Sequence, residues 1–103
     1  MAEMAVELVS FEIEPESEEE MLAAHAGAVA SIRAACPGLI DARLFRGETA
    51  GAWIDVWFWG SLDEARAAAE RAPSVPEADR SFSFISAPPT MMHGTLVAED
   101  LGA

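Results

Sequence analysis

Leu39-Ile-Asp-Ala-Arg-Leu-Phe-Arg46, Gly47-Glu-Thr-Ala-Gly51 and Ala52-Trp-Ile-Asp-Val-Trp-Phe-Trp59 decide the fold. Two runs rich in aromatic and aliphatic residues flank five turn-forming residues, which is the pattern of a β-hairpin. Symmetric pairing about the loop sets residues whose numbers sum to 98 opposite each other. One face then carries Ile40, Ala42, Leu44, Ile54, Val56 and Phe58. The other carries Leu39, Asp41, Arg43 and Phe45 with Trp53, Asp55, Trp57 and Trp59, and puts Asp55 opposite Arg43. Neither face suits bulk water, since one is wholly apolar and the other holds three tryptophans.

Upstream, Ala5 to Ile13 alternates with Val9, Phe11 and Ile13 on one side and Val6, Leu8 and Ser10 on the other, which predicts a central strand. Glu14-Pro15-Glu16 breaks it. Ser17-Glu-Glu-Glu20 has capping-box spacing and opens a helix over about 18–35 with a stripe of Met21, Leu22, His25, Val29, Ile32 and Cys36. Pro37-Gly38 ends it. Downstream, Ser61-Leu-Asp-Glu64 repeats the capping spacing before an Ala-rich helix to about Ala72, which Pro73 and Pro76 interrupt. Residues 77–86 fit a strand or a short helix, and Pro76 at a first helical position favours the helix. Ala87-Pro88-Pro89 stops that segment, and Met91 to Glu99 reads as a last strand before an acidic tail.

The order βαββαβ is the split-βαβ, ferredoxin-like plan, an α+β domain with helices on one face of a four-stranded antiparallel sheet. One domain spans residues 1–103, with its core at about 5–99. A sheet apolar on both faces needs a second cover, and two such sheets face to face make a homodimer built as a dimeric α/β barrel.

Composition narrows the chemistry. The 103 residues carry 18 acids against six basic residues, all Arg, for a net charge of −12, and there is no Lys, Asn, Gln or Tyr. Lysine, tyrosine and side-chain amide chemistry is excluded for want of the groups. Nucleic acid and anionic membranes are excluded as partners, because both attract clustered positive charge. Eight of the acids fall in the first 20 residues, so the acidity belongs mainly to one end. No apolar run approaches the roughly 18 residues of a membrane span. One cysteine allows no intrachain disulfide, and the start has Glu3 and Glu7 where a signal peptide is basic, so the expected location is cytoplasmic.

The pattern Pro37-Gly38 before the hairpin and Trp59-Gly60-Ser61 after it resembles the antibiotic-biosynthesis monooxygenases, a dimeric α/β-barrel family, over nearly the whole chain. It is most similar to the cofactor-free members that oxidise polyketide anthrones. That resemblance implies an oxygenase without metal or flavin, acting on a small aromatic or polycyclic, anthrone- or quinol-like molecule with dioxygen. Those members have Asn where this chain has Asp55, and a Tyr at about Ala65. Their pocket arginine falls at Arg80. The haem-degrading branch needs an Asn and a helix-two His, neither of which is present, so haem is discounted.

Each candidate has a plainer alternative. Trp53 and Trp57 suit a core as well as a wall for substrate. Trp59 combines a ring that stacks on a flat polycycle with an N–H donor for a ketone or phenolate oxygen. Asp55, flanked by tryptophans, reads either as a base for an acidic C–H or phenol, or as the cross-strand partner of Arg43 at about 0.2–1 kcal/mol. His25 reads as a hydrogen-bonded core residue or as a base. His93 is a weaker candidate, and two distant His with Cys36 make no metal site. The expected catalytic set is Trp59, Asp55 and His25, with Trp57, Arg43, Arg80 and Phe82 binding substrate. The alternatives are a non-catalytic binding or structural dimer, and a proton-transfer isomerase or lyase in the same pocket.

Overall fold

The structure, a computed structural model, describes residues 3–100. Its strands are β1 (Ala5–Glu12), β2 (Leu39–Arg46), β3 (Ala52–Trp59) and β4 (Thr90–Thr95), and its helices are α1 (Glu18–Ala35), α2 (Leu62–Arg71) and α3 (Pro76–Phe82). The sheet order is β2-β3-β1-β4 with every neighbouring pair antiparallel, so the expected ferredoxin-like plan is the observed one. β1 lies at the centre, as apolar residues on both its faces require.

The hairpin differs from the symmetric reading in one residue. Leu39 pairs with Trp59, but Asp41 pairs with Phe58, leaving Ile40 as a bulge. An extra residue in one strand reverses the alternation beyond it. Ala42 therefore faces Trp57, Leu44 faces Asp55 and Arg46 faces Trp53. Arg43 sits opposite Val56 on the far side of the sheet, so the expected Asp55–Arg43 pair does not form. The turn is tied back to β1 by the Ile13 N–H, which donates to Gly51 O at 2.8 Å, and Gly51 takes φ 84°, a conformation only glycine adopts cheaply.

Helices cover one face. Trp57, Trp59, Ala5 and Leu39 pack on Ala28 and Ile32 of α1, Ala65 and Ala68 of α2 and Ala78 of α3. A second cluster joins Phe11, Ile13, Trp53 and Met21. Alanines at these helix positions bring the helix backbones close to the sheet, with the indoles as the largest side chains between them. In α1 the buried stripe is Met21, Ala24, Ala28 and Ile32, and Leu22, expected inside, is exposed. Ser17 falls in a short 3-10 turn and makes no capping bond, whereas Ser61 Oγ accepts from the Glu64 N–H at 3.1 Å as its spacing predicts. β4 is shorter than the sequence suggests, ending at Thr95.

Among the described residues nothing covers the other face. Ile54, Phe45 and Met92 on it are 39%, 48% and 66% exposed, beside the half-buried Val6, Leu8, Val56 and Phe58.

Candidate active site

Position along β3 creates the site. Trp53, Asp55, Trp57 and Trp59 alternate towards the helices, and all four are buried. The rings of Trp57 and Trp59 are nearly parallel, 10° apart in plane with centroids 6.3 Å apart. The spacing of two residues along a strand sets this stack.

Two carboxylate–imidazole pairs lie on the same face. His25 Nε2 of α1 is 3.0 Å from Asp55 Oδ2, and both side chains are nearly buried. The His25 ring also meets Trp57 edge-on, 6.0 Å between centroids. His93 Nε2 of β4 is 2.8 Å from Glu7 Oε2 of β1. An ionised carboxylate only accepts, so in each pair Nε2–H is the donor when the acid is charged. Burial raises Glu7 above the ordinary carboxylate range; the His93 hydrogen bond and charge pull it back, and the nearby Asp55 charge pushes it up again.

The main cavity has a volume of about 650 Å³ and is lined by Glu7, Val9, Phe82, Ile85, Pro88 and Met91 among others. That size is ordinary for a small-molecule site, and its walls are apolar apart from Glu7 and Ser86. A smaller space of about 50 Å³ continues inward between Trp57, Trp59, Ile32 and Ala68, sharing Glu7, Ala69, Ala72 and Phe82 with the first. Trp59 Nε1 is buried without a hydrogen-bond partner, as is Asp55 Oδ1. A buried N–H left unpaired carries a desolvation cost of about 1–3 kcal/mol.

The structure thus brings together Trp57, Trp59 and Phe82 on the cavity walls, and hydrogen-bonds His25 to Asp55 with the His25 ring edge-on to Trp57. It does not bring the arginines in. Arg43 binds Asp41 at 2.8 Å on the uncovered face, where it holds that carboxyl below its usual range, and Arg80 is exposed on α3, lining neither cavity. Ala65, at the position of the missing tyrosine, is fully buried in the core. Glu7 and His93 are site residues that the sequence reading did not select. The signal was present for Glu7, which has the parity of Val9, Phe11 and Ile13 on β1. For His93 it was not, because its partner depends on the β1–β4 register. Among the described residues no three His, Cys, Asp or Glu side chains gather as a metal ion would require, and no helix is long and apolar enough to cross a membrane.

The fold is that of the ferredoxin-like monooxygenases of antibiotic biosynthesis. It is similar to the monooxygenase from the gene ActVA-Orf6 of Streptomyces coelicolor, solved in complex with nanaomycin D, at 19% identity and TM-score 0.77 over 98% of this chain and 94% of that one. SnoaB, a cofactor-independent oxygenase from Streptomyces nogalater, superposes at TM-score 0.68 and 20% identity, covering 96% of each chain. A Caulobacter crescentus protein assigned as an antibiotic biosynthesis monooxygenase superposes at TM-score 0.78 and 15% identity, over 94% of this chain and 92% of that one. No family model and no curated protein matches the sequence.

Proposed function

We propose that this protein is a cofactor-independent monooxygenase that oxidises a small aromatic or polycyclic, anthrone- or quinol-like molecule, working as a cytoplasmic homodimer. The observation that carries the reading is the unpartnered indole N–H of Trp59 beside an apolar cavity walled by aromatic rings. A flat polycycle in the main cavity has Phe82 on one side and the Trp57–Trp59 wall ahead of it, and its ketone oxygen accepts from Trp59 Nε1. That contact strengthens as the oxygen gains charge on deprotonation, so it favours the anion over the neutral molecule. The anion reduces dioxygen directly: the methylene becomes a carbonyl with one oxygen atom, and the other leaves as water with the two hydrogens. The protein removes the first proton, holds the anion and excludes water. The His25–Asp55 pair lines neither cavity space and supports Trp57 through the edge-on His25 ring. A cofactor-independent oxygenase of this fold, and a monooxygenase of this fold in complex with nanaomycin D, support the reading.

The test is incubation of metal-free protein with dithranol, a dihydroxyanthrone, with and without dioxygen. Oxygen-dependent quinone formation, lost in Trp59→Phe and reduced in Asp55→Ala, is the expected result. A second reading, a non-catalytic binding dimer, is favoured by Asp55 and Ala65 standing where the anthrone oxidases have Asn and Tyr. It predicts saturable binding of the anthrone without turnover. Rearranged product under nitrogen would instead mark a proton-transfer enzyme.

A further inference from the structure

Among the described residues Glu7 is the one ionisable side chain that lines both the main cavity and its inner extension; neither His25, Asp55 nor any arginine lines either space. Its Oε2 is held by His93 Nε2, which leaves Oε1 outside that hydrogen bond, and it pairs across the sheet with Trp57. We propose that Glu7 is the catalytic base of this cavity, taking the proton from the carbon acid that the Trp57–Trp59 wall receives, and that His93 is its positioning residue. The inference rests on the monooxygenase reading for its substrate class and goes beyond it in assigning the base.

Charge supports the assignment. The cavity lacks an arginine or lysine to neutralise an enolate. A carboxylate base passes its single negative charge to the substrate, so the cavity carries one charge before the transfer and one after. The C–H bond breaks, its proton moves to Glu7 Oε1, and its electron pair spreads onto the ketone oxygen beside the Trp59 N–H. Oε2 continues to accept from His93 throughout, which keeps the carboxyl oriented as its charge changes. The burial that raises Glu7 also makes its anion the better proton acceptor. The groups that face it are His93 from β4 and Asp55 from β3; the cavity residues that α1, α2, the turn after α2 and α3 contribute beside it are alanines, Ile32, Pro73 and Phe82, none of them charged.

The experiment follows exchange of the methylene hydrogens of dithranol in heavy water under argon, alongside quinone formation in air. Wild-type protein is expected to catalyse exchange, and Glu7→Gln to lose at least about 100-fold of that rate. Quenching of tryptophan fluorescence by the matching dihydroxyanthraquinone reports that the variant's pocket is intact. His93→Phe removes the partner that lowers Glu7, so the acidic limb of the rate profile moves to higher pH, and His93→Gln restores part of the shift. Glu7→Gln with wild-type exchange, or an acidic limb unmoved in His93→Phe, overturns the assignment while leaving the oxygenase reading intact. Exchange without quinone formation in air upholds Glu7 and overturns the oxygenase. Wild-type protein that does neither overturns both.

Discussion

Asp55 hydrogen-bonds His25 at 3.0 Å across the gap between β3 and α1, while Arg43, one place along the neighbouring strand from where symmetric pairing needs it, holds Asp41 on the opposite face. A single bulged residue, Ile40, separates these two arrangements, and it moves a carboxylate from a surface ion pair into a buried polar pair.

Asp55→Ala leaves a nearly buried imidazole without its acceptor, and the expected loss of stability is roughly 1–3 kcal/mol, read from the urea midpoint. Arg43→Ala removes only an exposed pair and should leave that midpoint unchanged. The opposite ranking would restore the Asp55–Arg43 pairing.

Trp59→Phe separates packing from chemistry. The indole is 2% exposed, so the smaller ring costs about 1–3 kcal/mol in lost contacts, but no hydrogen bond within the protein is broken. A greater than tenfold fall in dithranol oxidation, with the fold retained by circular dichroism, is expected. Unchanged turnover would remove the N–H from the mechanism.

Glu7 makes a pH prediction whose sign is fixed by its raised folded value. A buried acid that prefers its proton contributes stability that is fully present below the ordinary value of 4.5 and is lost as pH rises through the folded value. Glu7→Gln keeps an acceptor for His93 and removes this loss. The variant should therefore be more stable than wild type near pH 7, and the advantage should vanish below about pH 4.5. Glu18 and Asp41, lowered by Arg46 and Arg43, act in the opposite sense in both proteins and cancel in the comparison. An advantage that grows on acidification would contradict the assignment.

The uncovered sheet face predicts a dimer. Light scattering should give twice the 11.0 kDa chain mass, and Ile54→Glu, at a position 39% exposed in one chain, should give a folded species of half that size. A monomeric wild-type protein would contradict the barrel.

Much of this molecule was legible in its sequence because alternation and capping are local. Val9, Phe11 and Ile13 announced the buried side of β1, Ser61 announced the start of α2, and the three tryptophans announced an aromatic wall. The bulge at Ile40 left no such mark. No glycine or proline stands there, and the shift is set by how Leu39 packs under Trp59 while the later residues follow Trp57 and Trp53. The pairs His25–Asp55 and Glu7–His93 were hidden for a related reason, since residues 30 and 86 positions apart meet only once helix and strand registers exist. The two arginines were expected in the pocket on the strength of the hairpin register and a resemblance; the bulge turned Arg43 away, and α3 presents Arg80 to solvent.

In the proposed complex an oxygen of the aromatic ligand accepts from the Trp59 N–H. Nitrogen-15 labelling of the three indoles reads it directly, with the Trp59 signal assigned by its disappearance in Trp59→Phe. On titration with the dihydroxyanthraquinone, the Trp59 indole proton should move downfield and further than those of Trp53 and Trp57. A Trp59 signal that stays in place while the ligand saturates the protein would contradict the account.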